Sequence, residues 1–281
     1  MNANVAILGC GRSGTSIFGE LFEAFPGYRY WSEPHLAEVR RVRPPLGHDQ
    51  RTRLRPPDLM PGTHPGRGAA TLPGMAFSGW PGAAIDFYDG LEMDNSKDYW
   101  QANLHVYQQS VIAPFHLLLE ELHDEFGAGK LFRPNRDVRF SADKSPYKTQ
   151  AGAMLDSGGY VQLSATGLGV GAGYYMIEPP KVAALREAIA DDRTGSRLVE
   201  IVDDLRAVGA EVTGRDAVKT APRGYSTDHP RIDLLRLKGL IAWWQYDPGA
   251  WLATAEAKDR IVDALRASSP LMEWLDTEVG R

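Results

Sequence analysis

GYVQLSATGLGVGAGYYMI, residues 159–177, is the stretch that decides the fold. Two apolar segments, residues 159–165 and 168–177, flank a Thr-Gly dipeptide, which is typical of a tight turn between antiparallel strands. Glycines alternate at Gly169, Gly171 and Gly173, so we expect either another backbone or a ligand to pack close to that face. No helix follows directly, so this Gly-x-Gly-x-Gly run is poor evidence for a dinucleotide-binding fold.

Helical patterns lie on both sides of this hairpin. Upstream, apolar spacing predicts a helix over residues 80–91 and a second over 96–127, which Pro114 should kink or divide. Downstream, helices are predicted over 179–191 and 195–208, a short helix over 231–238, and an apolar strand over 239–246. Two further helices, 250–267 and 269–279, are predicted at the end of the sequence.

Composition indicates a soluble protein. The 281 residues are 43% hydrophobic and 24% charged, with an isoelectric point near 5.8. The single cysteine, Cys10, excludes an internal disulfide and fits a reducing compartment, so we expect a cytoplasmic location. No stretch approaches the roughly 20 apolar residues of a membrane span, and the first residues lack a basic signal-peptide region.

Charge is unevenly distributed along the chain. Residues 1–74 contain nine Lys and Arg and six Asp and Glu, a net charge of +3, so the remainder carries −8 of the total of −5. An acidic body argues against non-specific nucleic-acid binding, which needs a broad basic surface. No nucleic-acid or membrane partner is therefore expected, and the oligomeric state stays open.

A basic stretch, FRPNRDVRFSADKSPYKT (residues 132–149), precedes the hairpin. Alternation of Val138 and Phe140 with charged residues predicts a strand, and Pro146 predicts a turn after it. Four residues of this stretch are candidate ligand-binding residues: Arg136, Arg139, Lys144 and Lys148.

Two interpretations of these four cations remain open. Guanidinium and ammonium groups bind phosphate, sulfate or carboxylate, so the stretch could hold a small anionic ligand. Alternatively, Asp137 and Asp143 neutralise the arginines in a structural salt-bridge cluster. The first interpretation predicts one partly open pocket, and the second predicts paired arginines without a cavity.

A second polar concentration, KTAPRGYSTDHP, covers residues 219–230. Arg223 is a further candidate ligand-binding residue, which we expect to reach the same pocket. His229 is a candidate catalytic acid–base group because its reference pKa lies near neutrality. A lone histidine before a proline is more often a capping or surface residue.

The first residues predict an anion-binding loop. The apolar run at 5–9 predicts a buried strand, the glycine-rich run at 9–16 a loop, and the spacing at 17–25 a helix. Backbone N–H groups at such a helix N-terminus face an anion. The loop lacks the Gly-Lys-Ser/Thr of a Walker A motif.

Residues 4–42, with GCGRSGTS and the later SEPH, resemble the start of carbohydrate-type sulfotransferases. The resemblance implies that the cofactor PAPS is bound through its 5′-phosphosulfate by Arg12, Ser13, Gly14, Thr15 and Ser16. It also implies that Glu33 is a general base toward an acceptor hydroxyl. No match to the family's later 3′-phosphate residues is found.

Residues 40–74 change character, with proline, glycine and arginine in place of apolar residues, and predict disorder. Residues from about 77 to 278 resemble a conserved-hypothetical family, domain of unknown function 2461. The matching blocks are FYDGLEMDNSKDYW (87–100), RDVRFSADKSPYKT (136–149) and KTAPRGYSTDHP (219–230). This resemblance implies an α+β fold, an antiparallel sheet flanked by helices, and it implies no reaction and no cofactor.

The sequence therefore predicts three parts: a sulfotransferase-like β-loop-α fragment (1–42), a disordered linker (43–74) and an α+β domain (75–281). Three functions remain open. The favoured one is binding of a small anionic ligand by the domain; the others are PAPS-dependent sulfotransfer and a non-catalytic module that docks an acidic partner. No Cys, His and carboxylate spacing typical of a metal site occurs.

Overall fold

A computed structural model describes residues 76–280. The predicted sulfotransferase-like fragment and linker lie outside these residues. The helices are α1 (Gly82–Met93), α2 (Lys97–Val106), a π-helix (Tyr107–Ile112), α3 (Ala113–Phe126), α4 (Pro179–Ala190), α5 (Asp192–Ala207), α6 (Ile232–Leu235), a 3-10 helix (Ala250–Ala253), α7 (Glu256–Ala267) and α8 (Ser269–Glu278). The strands are β1 (Gly129–Leu131), β2 (Gln150–Leu155), β3 (Gly159–Ser164), β4 (Gly167–Tyr174), β5 (Glu211–Thr213) and β6 (Leu240–Tyr246).

The strands form one six-stranded antiparallel sheet in the order β1-β2-β3-β4-β6-β5. Strands β3 and β4 form the predicted hairpin, in which Val161 pairs with Val170 and Ser164 with Gly167. Gly167 has a φ of 98°, a conformation that glycine adopts without strain after a tight turn. The predicted α+β class and the antiparallel sheet are confirmed.

Helices pack on the face of the sheet that carries Val161, Leu163 and Val170. This core face is apolar and buried, and its side chains belong to one hydrophobic cluster with the helices. Its two glycines leave room for helix side chains: a Cβ on Gly159 would lie 2.6 Å from Leu265 of α7, and one on Gly129 would lie 2.5 Å from Leu119 of α3. We call this side of the sheet the core face.

The long helical stretch after Ser96 is divided by a π-helix. Ser96 caps α2 by accepting the N–H of Tyr99 at 3.1 Å. Pro114 lies in the first turn of α3, directly after the π-helix. Proline has no N–H and its ring crowds the preceding turn, so the regular α-helical bonding pattern changes there. The predicted division at Pro114 is therefore confirmed.

Two local predictions are wrong. Val138 and Phe140 are not in a strand, and Phe140 is 93% exposed. The reason is local hydrogen bonding: the Asp137 carboxylate accepts the N–H of Arg139, which competes with a strand ladder. The short helix predicted over 231–238 forms only as α6, four residues long.

Candidate functional site

The sheet face opposite the core face, which we call the glycine face, carries the candidate site. Along β3 and β6, successive side chains lie alternately on the core face and on the glycine face. On the glycine face, glycines of β4 separate the side chains of β3 from those of β6. Across the strands, Gln162 is paired with Gly169, Tyr160 with Gly171, and Gly171 with Trp243. These residues are buried, although they lie outside the hydrophobic cluster shared with the helices.

The glycines of β4 accommodate an indole ring. A Cβ on Gly169 would lie 2.3 Å from Cζ2 of Trp243, and a Cβ on Gly171 would lie 2.8 Å from Cε3 of the same ring. Tyr160 lies over Gly152 of β2 in the same way, with Oη 2.1 Å from the Cβ position. Gly169 and Gly171 thus make room for an aromatic side chain of the neighbouring strand, where the sequence led us to expect a backbone or a ligand. At Gly173 the expected backbone packs close, because a Cβ there would lie 2.3 Å from the Leu240 carbonyl oxygen.

Two polar atoms of this face are buried, and no hydrogen-bond partner for them lies among residues 76–280: Oε1 of Gln162 and Nε1 of Trp243. Their side chains are only 5% and 2% exposed. A buried donor or acceptor without a partner costs about 1–3 kcal/mol, so such atoms are rare unless a ligand or water satisfies them.

The hydroxyl of Tyr160 is also enclosed. Burial raises the pKa of Tyr160 above its ordinary range, and a hydrogen bond with Gln150 opposes that rise. Burial likewise raises the pKa of Tyr175, which follows β4. Both phenols therefore stay protonated near neutral pH and can donate hydrogen bonds.

A buried lysine adjoins one end of the glycine face. Lys148 is 8% exposed, and its Nζ lies 5.7 Å from the ring centroid of Phe132. The Phe132 ring lies 6.2 Å from that of Tyr160, and the Phe132 N–H donates to the Gly152 carbonyl at 2.9 Å. Lys148 is thus linked through Phe132 to the centre of the face.

Two arginines of residues 132–149, a segment that we call the basic loop, pair with carboxylates. Arg136 binds Asp143 at 2.5 Å, and Arg139 binds Asp137. These hydrogen bonds hold the pKa of each aspartate well below its usual range. Such pairing is what the structural interpretation predicts for the two arginines.

The basic loop has further internal bonds. Lys144 donates to the carbonyl of Val138 at 2.8 Å. Asn95 holds Tyr147 through two hydrogen bonds of 3.0 Å, and the Tyr147 ring stacks on Trp100 of α2 at 4.1 Å. The loop is therefore anchored to the helices beside the end of β2 where Lys148 lies.

The second polar loop, residues 214–239, leaves the sheet elsewhere. It joins β5 to β6 at the sheet edge opposite β1. It starts from the end of the sheet that is opposite to the start of β2, where Lys148 lies. Arg223 is exposed. His229 accepts the N–H of Arg231 at Nδ1 over 3.0 Å, which is the behaviour of a turn-capping residue. The topology thus does not bring Arg223 and His229 to the end of the sheet that carries Lys148.

Arg231 has a structural role in this second loop. It is 9% exposed, and its guanidinium donates to the carbonyls of Ile189 at 2.6 Å and Ala190 at 2.9 Å. It also binds Asp192 at 3.0 Å. These bonds satisfy carbonyls at the end of α4 and fix the loop to α4 and α5.

Comparison with known proteins gives one match. The sequence profile described as "Conserved hypothetical protein (DUF2461)" matches residues 83–274, more than half of the chain. The chain belongs to this family. No curated protein matches the chain, and no solved structure does.

The DUF2461 match confirms the resemblance of the domain and names no reaction. No comparison supports the resemblance of residues 4–42 to sulfotransferases. The residues predicted to serve that activity lie outside the described residues, and their roles stay predictions: Arg12, Ser13, Gly14, Thr15, Ser16 and Glu33.

Two further properties of the DUF2461 domain concern membranes and metal ions. Between residues 76 and 280, the helices are too short or too polar to cross a membrane. Within the same range, three or more His, Cys, Asp or Glu side chains nowhere cluster as a metal site would require.

Sequence reasoning missed Gln162 and Trp243 of the DUF2461 domain. A signal was present, because Gln162 is the polar residue in the middle of an otherwise apolar strand. The alternating glycines marked the right face, yet the sequence does not show which residue of a distant strand fills their space. That residue, Trp243, lies about 70 residues further on, so only the strand register identifies it.

Proposed function

We propose that this DUF2461 domain binds a small anionic molecule at the glycine face, beside the basic loop. Lys148 is the principal cation, and Arg136, held by Asp143, is the second. Arg139 and Lys144 form the outer part of the loop and contribute longer-range positive charge. Arg223 was predicted to reach the same site. Because its loop leaves the opposite end of the sheet, we assign Arg223 no direct contact with the ligand.

The observation that carries this proposal is the position of Lys148. Its side chain is buried next to a face on which Gln162 and Trp243 present polar atoms that have no hydrogen-bond partner among residues 76–280. The loop's two carboxylates, Asp137 and Asp143, are engaged by arginines. A lysine is compact and strongly hydrated, so its burial is favoured where an anion approaches it.

Arg136 suits a supporting role. Its side chain is only 10% exposed, and its Nη1 contacts Oδ2 of Asp143. The other carboxylate oxygen of Asp143, Oδ1, accepts the N–H and the hydroxyl of Ser145. Asp143 is thereby fixed by three bonds and in turn fixes the guanidinium. The guanidinium of an arginine held in this way already has a fixed orientation, so less entropy is lost when a ligand binds beside it.

Calorimetry on the full chain with inorganic phosphate, sulfate and acetate tests the proposal. At least one of these anions should bind the parent, and Lys148→Met should weaken that binding roughly tenfold, the effect of one charge-assisted hydrogen bond. Lys97→Met is the matched control, because Lys97 is an exposed lysine at the start of α2.

Absence of binding by all three anions, or equal losses in both variants, would contradict the proposal. Thermal unfolding of each variant checks that Lys148→Met is folded.

Calorimetry also distinguishes this proposal from the sulfotransferase alternative, which rests on the glycine-rich loop at residues 9–16. The desulfonated donor, adenosine 3′,5′-bisphosphate, would then bind the parent, and Arg12→Ala would remove that binding. Glu33→Gln would lower turnover without changing donor affinity. Under the proposal made here, Lys148→Met weakens phosphate binding whereas Arg12→Ala does not.

A further inference from the structure

The two enclosed polar atoms of the glycine face lie on side chains that meet above Gly169. The Cβ position of Gly169 is 2.9 Å from Cγ of Gln162 and 2.3 Å from Cζ2 of Trp243. In an indole ring, Nε1 and Cζ2 are bonded to the same carbon, Cε2, so Nε1 belongs to the part of the ring that lies near Gly169. One face thus presents an acceptor, Oε1, and a donor, Nε1, on neighbouring side chains.

We propose that the anionic ligand also carries a planar amide or imide group, which these two atoms recognise. The ligand's N–H donates to Oε1 of Gln162, and its C=O accepts from Nε1 of Trp243. This inference rests on the proposed function, because the anionic group of the same ligand is placed at Lys148.

The shape of the face favours a flat group. Gly169 and Gly171 have no side chains, and the Trp243 ring lies over both of them. Tyr160 lies over Gly152 on the other side of Gln162. Two aromatic rings that lie along the sheet form a surface on which a planar ring stacks better than a branched chain.

Burial explains why the pair would discriminate between ligands. Both atoms are shielded from water, so each hydrogen bond forms in a low-dielectric setting and is not replaced by solvent. A ligand that lacks the N–H and C=O groups leaves both atoms without partners. Sites of this kind reject such analogues more strongly than apolar pockets reject a missing methylene group.

Orotate and benzoate are suitable probes, because both are flat rings with one carboxylate and only orotate carries N–H and C=O groups. Calorimetry on the full chain should show orotate binding at least tenfold more tightly than benzoate. Gln162→Leu and Trp243→Phe each remove one of the two hydrogen bonds, so each variant should lose part of this preference for orotate.

Gln245→Leu is the matched control. Gln245 lies on the same face, two residues after Trp243 in β6, but it is exposed and donates to the Thr166 carbonyl at 2.9 Å. This variant should keep the tenfold preference for orotate.

The outcomes separate the two proposals. If phosphate, sulfate and acetate all fail to bind, the anion site itself is refuted. If one of them binds through Lys148 but orotate binds no better than benzoate, the anion site stands and the amide recognition is refuted. In that case ordered water satisfies Oε1 of Gln162 and Nε1 of Trp243. Should Trp243→Phe fail to fold, Gln162→Leu alone decides.

Discussion

The two faces of the sheet differ although the same strands build both. In β3, Leu163 lies on the core face and is fully buried against helices, whereas its neighbour Gln162 lies on the glycine face with an unpaired oxygen. In β4, Val170 lies in the core and Gly169 and Gly171 lie on the other side. One face is filled with aliphatic side chains, and the other combines glycines, aromatic rings and polar atoms.

This difference indicates what each face contributes. Aliphatic burial on the core face stabilises the fold, at roughly 25 cal/mol per Å² of apolar surface. Unpaired polar atoms and side-chain-free strands lower stability on the glycine face. Positions that lower stability without a compensating contact are where a protein's function is expected to lie.

The largest effect should come from the core face. Leu163→Ala removes a fully buried side chain from the hydrophobic cluster. We expect the free energy of unfolding to fall by about 2–5 kcal/mol, from lost burial and the cavity that remains. Urea denaturation of the parent and the variant measures this difference. A loss below 1 kcal/mol would mean that the core face does not carry the fold's stability.

The next effect should come from the buried arginine of the second polar loop. Arg231→Met leaves the carbonyls of Ile189 and Ala190 without their donors, so we expect a loss of about 2–3 kcal/mol. Arg223→Met, in the same loop, changes an exposed side chain and should be neutral. Equal losses would show that the loop is not fixed by Arg231.

A smaller effect should come from the glycines that face Trp243. Gly169→Ala places a Cβ 2.3 Å from the indole, so the ring must shift, and we expect a loss of about 1–3 kcal/mol. Gly82→Ala is the control: Gly82 begins α1, its Cβ would meet nothing within 4 Å, and alanine favours a helix. If Gly169→Ala were as harmless as Gly82→Ala, the indole would not lie over β4.

The smallest loss should come from the ion pair of the basic loop. The hydrogen bond from Arg136 lowers the folded-state pKa of Asp143, so the pair stabilises the loop above the unfolded pKa, about 3.9, and less as the pH falls below it. Because Asp143 is 42% exposed, we expect less than about 1 kcal/mol.

Melting temperatures of the parent and Asp143→Asn between pH 7 and pH 2 check this prediction. The parent should exceed the variant at pH 7, and the gap should narrow as the pH falls below about 4. A gap that widens in acid would contradict the assigned direction of the pKa shift.

The fold was more predictable from the sequence than the site was. The hairpin of β3 and β4 was predictable because its turn and its apolar segments are adjacent in the chain. The strand predicted around Val138 failed because aspartate side chains bond the nearby backbone, which apolar spacing does not reveal. The basic loop was found by its charge, and two of its arginines, Arg136 and Arg139, are paired with carboxylates.

Gln162 and Trp243 could not be found as a pair, because their proximity depends on the register of three strands. Gly169 of β4 stands between them and is paired with Gln162, while Trp243 reaches it from β6. A one-residue shift in either pairing would place Gln162 and the indole on opposite faces of the sheet. Hydrophobic patterns specify which strands are buried, and they do not specify this register across 80 residues.

The stability of Gln162→Leu, compared with that of Leu163→Ala one residue further along β3, shows whether the glycine face is a binding surface or a part of the core. If the glycine face is a binding surface, removing the unpaired oxygen should leave the free energy of unfolding unchanged or raise it. Urea denaturation of the full chain at neutral pH, without ligand, gives this value. A loss of 2 kcal/mol or more, comparable to that expected for Leu163→Ala, would show that Gln162 is a structural residue and would contradict the account.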